Sequence, residues 1–224
     1  MIRYICFSIV LLDILAKIVF PVKIRPPKII FALRFAISFI YIFTNIELLY
    51  TNIFLCILAF IIGYLTYILS CFIVGTKFNK YNLLFINIWK FKGNLKKKYR
   101  IEYSKNILKA FLEEIVYRGI LQTILGELLN SQIIAAINVT ILFVMMHNLK
   151  KMALVQILDL IAFSVIISAI YGAFSDLTMV SIIHITRNWY IINQKYSDYF
   201  MEEKRKEKIL KIIRRNNHDQ STQI

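Results

Sequence analysis

Two adjacent glutamates and an arginine form the first group of residues whose types and spacing suit chemistry. They stand in the segment Phe111-Leu-Glu-Glu-Ile-Val-Tyr-Arg-Gly-Ile120. Because Glu114 and Arg118 are four residues apart, they share a helix face and can form an ion pair. Glu113 points about 100° away from that face, since a helix has 3.6 residues per turn. No cation follows Glu113 at three or four residues, so we expect an unpaired, desolvated carboxylate that suits a general base.

Two histidines and an asparagine form the second group. His147 ends the segment Phe143-Val-Met-Met-His147, and His184 opens the segment His184-Ile-Thr-Arg-Asn188. His184 and Asn188 are four residues apart and therefore face the same way. A lone histidine in an apolar helix usually serves an interhelical hydrogen bond. Two histidines together with a glutamate pair, an arginine and an asparagine favour a functional site instead.

The elements that carry these groups are apolar segments long enough to cross a membrane. Hydrophobic residues make up 58% of the 224-residue chain, charged residues only 18%, and the mean hydropathy is +0.62. A span needs about 20 residues, and a charge inside it is costly and usually functional. The sequence therefore predicts an all-α, polytopic membrane helix bundle with seven transmembrane helices, at about 4–21, 29–46, 50–74, 106–128, 131–147, 152–173 and 177–194.

The basic residues alternate between the gaps of this bundle. Lys and Arg cluster in 21–28, 75–105, 148–151 and the tail from residue 195, whereas the other three gaps contain none. Basic loops stay on the cytoplasmic side, which predicts an external N-terminus and a cytoplasmic C-terminus in a cell membrane. The basic residues behind the net charge of +15 thus set the orientation of the chain in the membrane. We expect them to contact membrane lipid and not nucleic acid.

The predicted organisation has three parts. Residues 1–104 contain the N-terminal transmembrane helices and a basic cytoplasmic loop, 105–194 the polar helix core, and 195–224 a charged cytoplasmic tail. Residues 78–92 mix aromatic residues with lysines, which suits either a segment lying on the inner leaflet or an ordinary basic loop. The three cysteines stand in apolar segments without metal-ligand spacing, so we expect small buried side chains and no disulfide.

Taken together, the motifs resemble the CPBP family, which contains type II CAAX prenyl endopeptidases and bacteriocin-processing or bacteriocin-immunity membrane proteins. The family pattern is EExxxR, then FxxxH, then HxxxN or HxxxD on successive core helices. The chain carries all three motifs, intact and in order, at 113–118, 143–147 and 184–188. The resemblance covers roughly residues 105–194.

The resemblance implies an intramembrane endopeptidase. Glu113 with His147 would activate a water molecule that attacks the scissile carbonyl. His184 and Asn188 would donate hydrogen bonds to the developing oxyanion, a contribution of about 2.7–4 kcal/mol per donor in well-studied proteases. Glu114 and Arg118 would support the site by tying helices together. The substrate would be a membrane protein or peptide, and the Ile/Lys/Asn bias of this short chain is typical of a bacterial protein.

A zinc-dependent site is the alternative mechanism. The family has also been described as metalloproteases, and Glu113, His147 and His184 would hold Zn²⁺ with one position open for water. The chain has no HExxH motif. The favoured expectation is therefore a glutamate-based site without a cofactor.

Two other functions remain as alternatives to a protease. One is a non-catalytic bacteriocin-immunity or regulatory protein on the same fold, which loss of Glu113, His147 or His184 would have indicated. The other is a small transporter that relays protons through Glu113 and Asp159, but no inverted repeat or Gly/Pro-broken helix supports it. The sequence assigns no role to Asp159 or Arg187.

Overall fold

A computed structural model describes residues 2–19, 27–76, 93–147 and 149–221. Side chains are described throughout these ranges except at residue 2, 15–19, 27–34 and many positions after residue 200. The predicted inner-leaflet segment 78–92 and most of the basic segment 21–28 lie outside the described residues.

The described residues form helices and no strand. Eight α-helices are present: α1 (Ile2–Val19), α2 (Pro27–Thr44), α3 (Ile53–Val74), α4 (Gly93–Glu114), α5 (Thr123–Leu128), α6 (Gln132–Met145), α7 (Leu154–Phe174) and α8 (Leu177–Ser221). A π-helical segment, Ile115–Gln122, joins α4 to α5 without a break, and short 3₁₀ turns occupy Ile46–Leu49 and Leu149–Lys151. The predicted all-α class is confirmed, and each predicted span overlaps one of these helical stretches.

Local sequence explains where several helices begin and end. The Asn52 side chain accepts a hydrogen bond from the backbone N–H of Leu55 at the start of α3. Ser131 caps α6 in the same way. Gly75 ends α3 with a φ of 70°, a left-handed conformation that glycine adopts without steric cost.

Two helices run well beyond the predicted spans. α4 begins at Gly93, ahead of the span predicted from 106, and α8 continues to Ser221, beyond the span predicted to end at 194. The added part of α4 is rich in lysine and tyrosine, so hydropathy alone assigned it to a loop. It is helical because it packs on α8, where Tyr99 is buried with Ile192 and Tyr196.

Apolar side chains cover much of the outer surface. α3 and α7 are long and apolar enough to cross a membrane, and most of their residues are not buried within the protein. The shorter apolar stretches Phe35–Thr44 and Gln132–Met145 accompany them. Exposed phenylalanines such as Phe54 and Phe72 would be unfavourable in water, and an apolar surface of this kind indicates a lipid environment.

α8 packs closely against α3, and a glycine makes this possible. A Cβ atom added at Gly63 would lie 2.7 Å from Cβ of Thr186 and 2.8 Å from the carbonyl oxygen of Ile183. α4 and α7 also contact α8. The first half of α8 is therefore held between three helices, and this half carries His184, Arg187 and Asn188.

The helix that carries the glutamates widens just after them. All eight residues of the π segment are buried, and π-helical turns occur mainly at functional sites. Tyr41 of α2 donates its hydroxyl to the carbonyl of Gly119. Thr123 donates to the carbonyl of Arg118 at 3.2 Å. Side chains thus satisfy carbonyl groups of the segment and fix it within the bundle.

Candidate active site

Glu114 lies at the centre of the polar groups inside the bundle. Its Oε1 accepts a hydrogen bond of 2.6 Å from Nδ1 of His184, and its Oε2 is 3.4 Å from Nε of Arg118. The Glu114 and Arg118 side chains are fully buried. The expected ion pair between them is therefore present, and Glu114 also joins α4 to α8, a contact that the sequence did not predict.

Arg118 extends this group toward α6 and α7. Its Nη2 donates to Oγ of Ser164 at 3.0 Å and to the Ser164 carbonyl at 3.4 Å. Ser164 in turn donates to Thr140 at 3.4 Å. The guanidinium carbon of Arg118 also lies 4.9 Å from the ring centre of Phe143. One cation thus contacts three helices, as expected for a residue that ties the core together.

Glu113 occupies a different environment from Glu114. Its side chain is 12% exposed, and its Oε1 lies 3.5 Å from Nζ of Lys109, one helical turn earlier. The expectation of an unpaired carboxylate is therefore wrong. The expectation rested on the absence of a cation three or four residues after Glu113, but a cation four residues before a carboxylate shares the same helix face. Lys109 itself is 60% exposed.

His147 is held by its own helix. Its Nδ1 lies 2.8 Å from the carbonyl oxygen of Phe143. Since a carbonyl only accepts, Nδ1 carries the proton and donates, and the neutral ring then has its lone pair on Nε2. His147 lies within the range of electrostatic interaction with Glu113 and His184.

Phe143 lies between the two histidines. Its ring centre is 4.8 Å from that of His147 and 6.4 Å from that of His184. Tyr117 packs edge-on against it at 5.0 Å. Phe143, the aromatic residue of the FxxxH motif, therefore lies between the two histidine rings, and it also contacts Arg118 of the buried ion pair.

The structure brings five of the six predicted site residues into one region. Glu114, Arg118 and His184 are joined directly, and Glu113 and His147 lie beside them. Asn188 is partly buried one turn after His184 on α8. Within the described part of the chain, no hydrogen bond or ion pair joins Asn188 to the others.

The sequence left Asp159 and Arg187 without a role, and the structure pairs them. Nη2 of Arg187 donates to Oδ2 of Asp159 at 2.5 Å and to Oγ of Ser70 at 3.2 Å. The guanidinium carbon also lies 4.2 Å from the ring centre of Phe163. Both residues are recognisable as charges within apolar segments, but nothing in the local sequence indicates that they pair.

The donor set that would hold a metal does not fit this geometry. Glu113, His147 and His184 would be the ligands of the alternative, zinc-dependent site, and Nδ1 of His184 donates to Glu114, which leaves Nε2 as the ligand atom of that ring. Among the side chains that the structure describes, no three or more His, Cys, Asp or Glu residues are grouped closely enough to hold a metal ion.

Comparison with known proteins covers the helices that build this site. Residues 104–190 match the family model described as type II CAAX prenyl endopeptidase, Rce1-like, and all three motifs lie inside this segment. Comparisons with curated proteins and with solved structures gave no significant match. The family is a membrane-embedded protease family, in agreement with the apolar surfaces of α3 and α7. The match confirms the predicted resemblance over residues 104–190.

Proposed function

We propose that this protein is a multi-pass intramembrane endopeptidase that hydrolyses a peptide bond of a membrane-associated protein or peptide. The observation that carries the proposal is the contrast between two adjacent carboxylates. Glu114 is fully buried, and each of its oxygens faces a cationic or N–H group. Glu113 is partly exposed and lies near His147. Glu114 therefore acts in support, and Glu113 remains accessible to a water molecule and a substrate.

Glu113 and His147 activate the water in this proposal. The Glu113 carboxylate accepts a proton from the water while the oxygen attacks the scissile carbonyl carbon. His147 presents Nε2, because Nδ1 donates to the Phe143 carbonyl. Nε2 then orients the same water by accepting a hydrogen bond from its second hydrogen. The proton held by Glu113 passes to the leaving amine when the carbon–nitrogen bond breaks.

His184 and Asn188 stabilise the oxyanion. Nδ1 of His184 is anchored on Glu114 at 2.6 Å, so the ring orientation is fixed before substrate arrives. When Nε2 is protonated, it donates to the negative oxygen, and the Asn188 amide one turn further donates a second hydrogen bond. Preorganised donors of this kind contribute about 2.7–4 kcal/mol each in proteases. This assignment needs no metal.

The test compares membrane-protein termini and released peptides in cells that carry wild type, Glu113→Gln or Glu127→Gln at equal abundance. Glu127 is the matched control because it is an exposed carboxylate on α5, which continues the same helix. New termini are expected with wild type and with Glu127→Gln, and none with Glu113→Gln. They would identify the substrate at the same time.

Two results would contradict the proposal. If Glu113→Gln produces the same termini as wild type, Glu113 is not the base. If no variant changes any terminus while the host phenotype persists with Glu113→Gln, the protein is a binding, regulatory or immunity protein on this fold. Stoichiometric zinc in the purified protein that is lost on His147→Ala would refute the metal-free mechanism alone.

A further inference from the structure

A buried ion pair lies beside the candidate active site, and neither of its residues is a defining position of the three motifs. Asp159 of α7 and Arg187 of α8 meet at 2.5 Å, with side chains 14% and 7% exposed. Ser70 of α3 accepts from the same nitrogen of Arg187 at 3.2 Å. The arginine is therefore not extended toward a membrane surface, as an arginine that merely avoids lipid would be, but is enclosed by three helices.

The pair is connected to His184 through one aromatic ring. The guanidinium carbon of Arg187 lies 4.2 Å from the ring centre of Phe163, and the His184 ring meets the same phenylalanine at 4.9 Å and 66°. Phe163 is thus enclosed between a cation and a site histidine. A guanidinium at this distance is attracted to the ring by its quadrupole.

The spacing of these residues fixes the rotation of α8. Asp159 and Phe163 are one turn apart on α7, and Arg187 and His184 are about one turn apart on α8, so each helix presents two successive contacts to the other. α7 and α8 are consecutive in the chain and run in opposite directions, so the turns pair in order. If α8 turned about its axis, both contacts would break, and Nδ1 of His184 would leave Glu114.

A contribution to stability alone does not explain the pair. Replacing a buried ion pair by apolar residues of similar size is often neutral or stabilising, whereas such pairs can specify register. From these contacts we propose that Asp159 and Arg187 are positioning residues that set the orientation of His184 toward Glu114 and the oxyanion. This inference rests on the proposed function for its catalytic consequence, and on the contacts of Phe163 for its geometry.

The experiment measures the orientation of His184 without requiring a substrate. The full-length protein in detergent is treated with diethyl pyrocarbonate, and mass spectrometry follows modification of His184 and His147 in wild type, Asp159→Asn, Arg187→Gln and Arg187→Lys. His184 is 4% exposed and bonded to Glu114, so it should react slowly in wild type. In Asp159→Asn and Arg187→Gln we expect its rate to rise about tenfold through local opening, with His147 unchanged.

Two variants make the measurement specific. Arg187→Lys keeps the charge opposite Asp159 and should restore slow modification of His184 in large part. Glu102→Gln removes a different ion pair between α4 and α8, that of Glu102 with Lys195 at 2.7 Å. It should leave the modification rates of both histidines as in wild type. An unchanged rate of His184 modification in Asp159→Asn and Arg187→Gln would overturn the inference. Equal rises in the modification of His184, His147 and the buried Cys6 would also overturn it, because they indicate general unfolding.

The catalytic consequence has its own readout. In Asp159→Asn and Arg187→Gln the yield of Glu113-dependent termini should fall, with recovery in Arg187→Lys. If wild type produces no such termini, the proposed protease function fails, but the labelling result still decides whether the pair orients His184. If termini are produced equally by all variants while His184 labelling rises, the pair does not position a catalytic group, and the inference is wrong.

Discussion

Removal of the Arg118 cation should destabilise the protein severely. In Arg118→Gln, the fully buried Glu114 loses the guanidinium 3.4 Å away, and Ser164 loses a donor at 3.0 Å. Breaking one half of a buried ion pair costs about 3–5 kcal/mol, because the remaining charge is left without compensation. For a chain of this size, such a loss corresponds to a fall in Tm of about 6–20 °C.

The cysteines provide the assay. Cys6 and Cys71 are free and buried, and Cys56 is only partly exposed, so a thiol-reactive fluorophore reports unfolding during heating in detergent. Wild type and Arg118→Gln are compared at equal concentration. Lys109→Gln is the matched control, since it removes a largely exposed cation from the same helix, and such surface pairs contribute little.

A double variant separates the charge effect from lost packing. In Glu114→Gln/Arg118→Gln no buried charge is left unpaired, so its Tm should lie above that of Arg118→Gln. Two results would refute the reasoning. One is a Tm for Arg118→Gln within about 2 °C of wild type, which is far less than a broken buried pair implies. The other is a double variant less stable than the single one.

Three further changes test the packing between helices. Gly63→Ala places a Cβ atom 2.7 Å from Thr186 and should destabilise by about 1–3 kcal/mol through overpacking; an unchanged Tm would show that α3 and α8 separate freely. Tyr41→Phe leaves a buried carbonyl of the π segment without its donor and should cost about 1–3 kcal/mol, measured by the same thiol assay. Burial raises the pKa of Glu102, but hydrogen bonds from Lys195 and a neighbouring tyrosine outweigh it and hold that pKa below 4.5. The pair therefore stabilises above pH 4.5 and weakens as the pH falls through the lowered pKa. Glu102→Gln should lower the free energy of unfolding at pH 7 by less than about 1 kcal/mol, and by progressively less below pH 4.5; an equal effect at both pH values would contradict this origin.

The helices could be predicted from the sequence because their signals are local. Apolar runs with capping residues such as Asn52 and Ser131 mark α3 and α6, and their observed starts lie within a few residues of the predicted ones. The N-terminal half of α4 was missed for the opposite reason. Its sequence is polar, and its helical state depends on packing against α8 through Tyr99 and Tyr196, a contact between residues far apart in the chain.

The pairing of charges could be predicted only within one helix. The Glu114–Arg118 contact follows from a spacing of four residues, and the same rule applied in both directions would also have found Lys109 beside Glu113. The bond between Glu114 and His184 joins positions 70 residues apart. Nothing in the local sequence selects His184 rather than His147 as the partner, because that choice is made by how α8 packs on α4.

The site separates two adjacent carboxylates by direction and by burial. Consecutive helix residues point about 100° apart, so Glu114 faces the interior of the bundle and Glu113 faces the edge of that interior. Arg118 and His184 face the two oxygens of the interior carboxylate and offset the cost of its burial. Among the described residues, Glu113 forms an ion pair with Lys109, whose side chain is 60% exposed, and an ion pair with one solvent-exposed partner is weaker than a fully buried one. Under the proposed function, the two glutamates would supply one structural charge and one charge available for chemistry, which a single glutamate at either position would not provide.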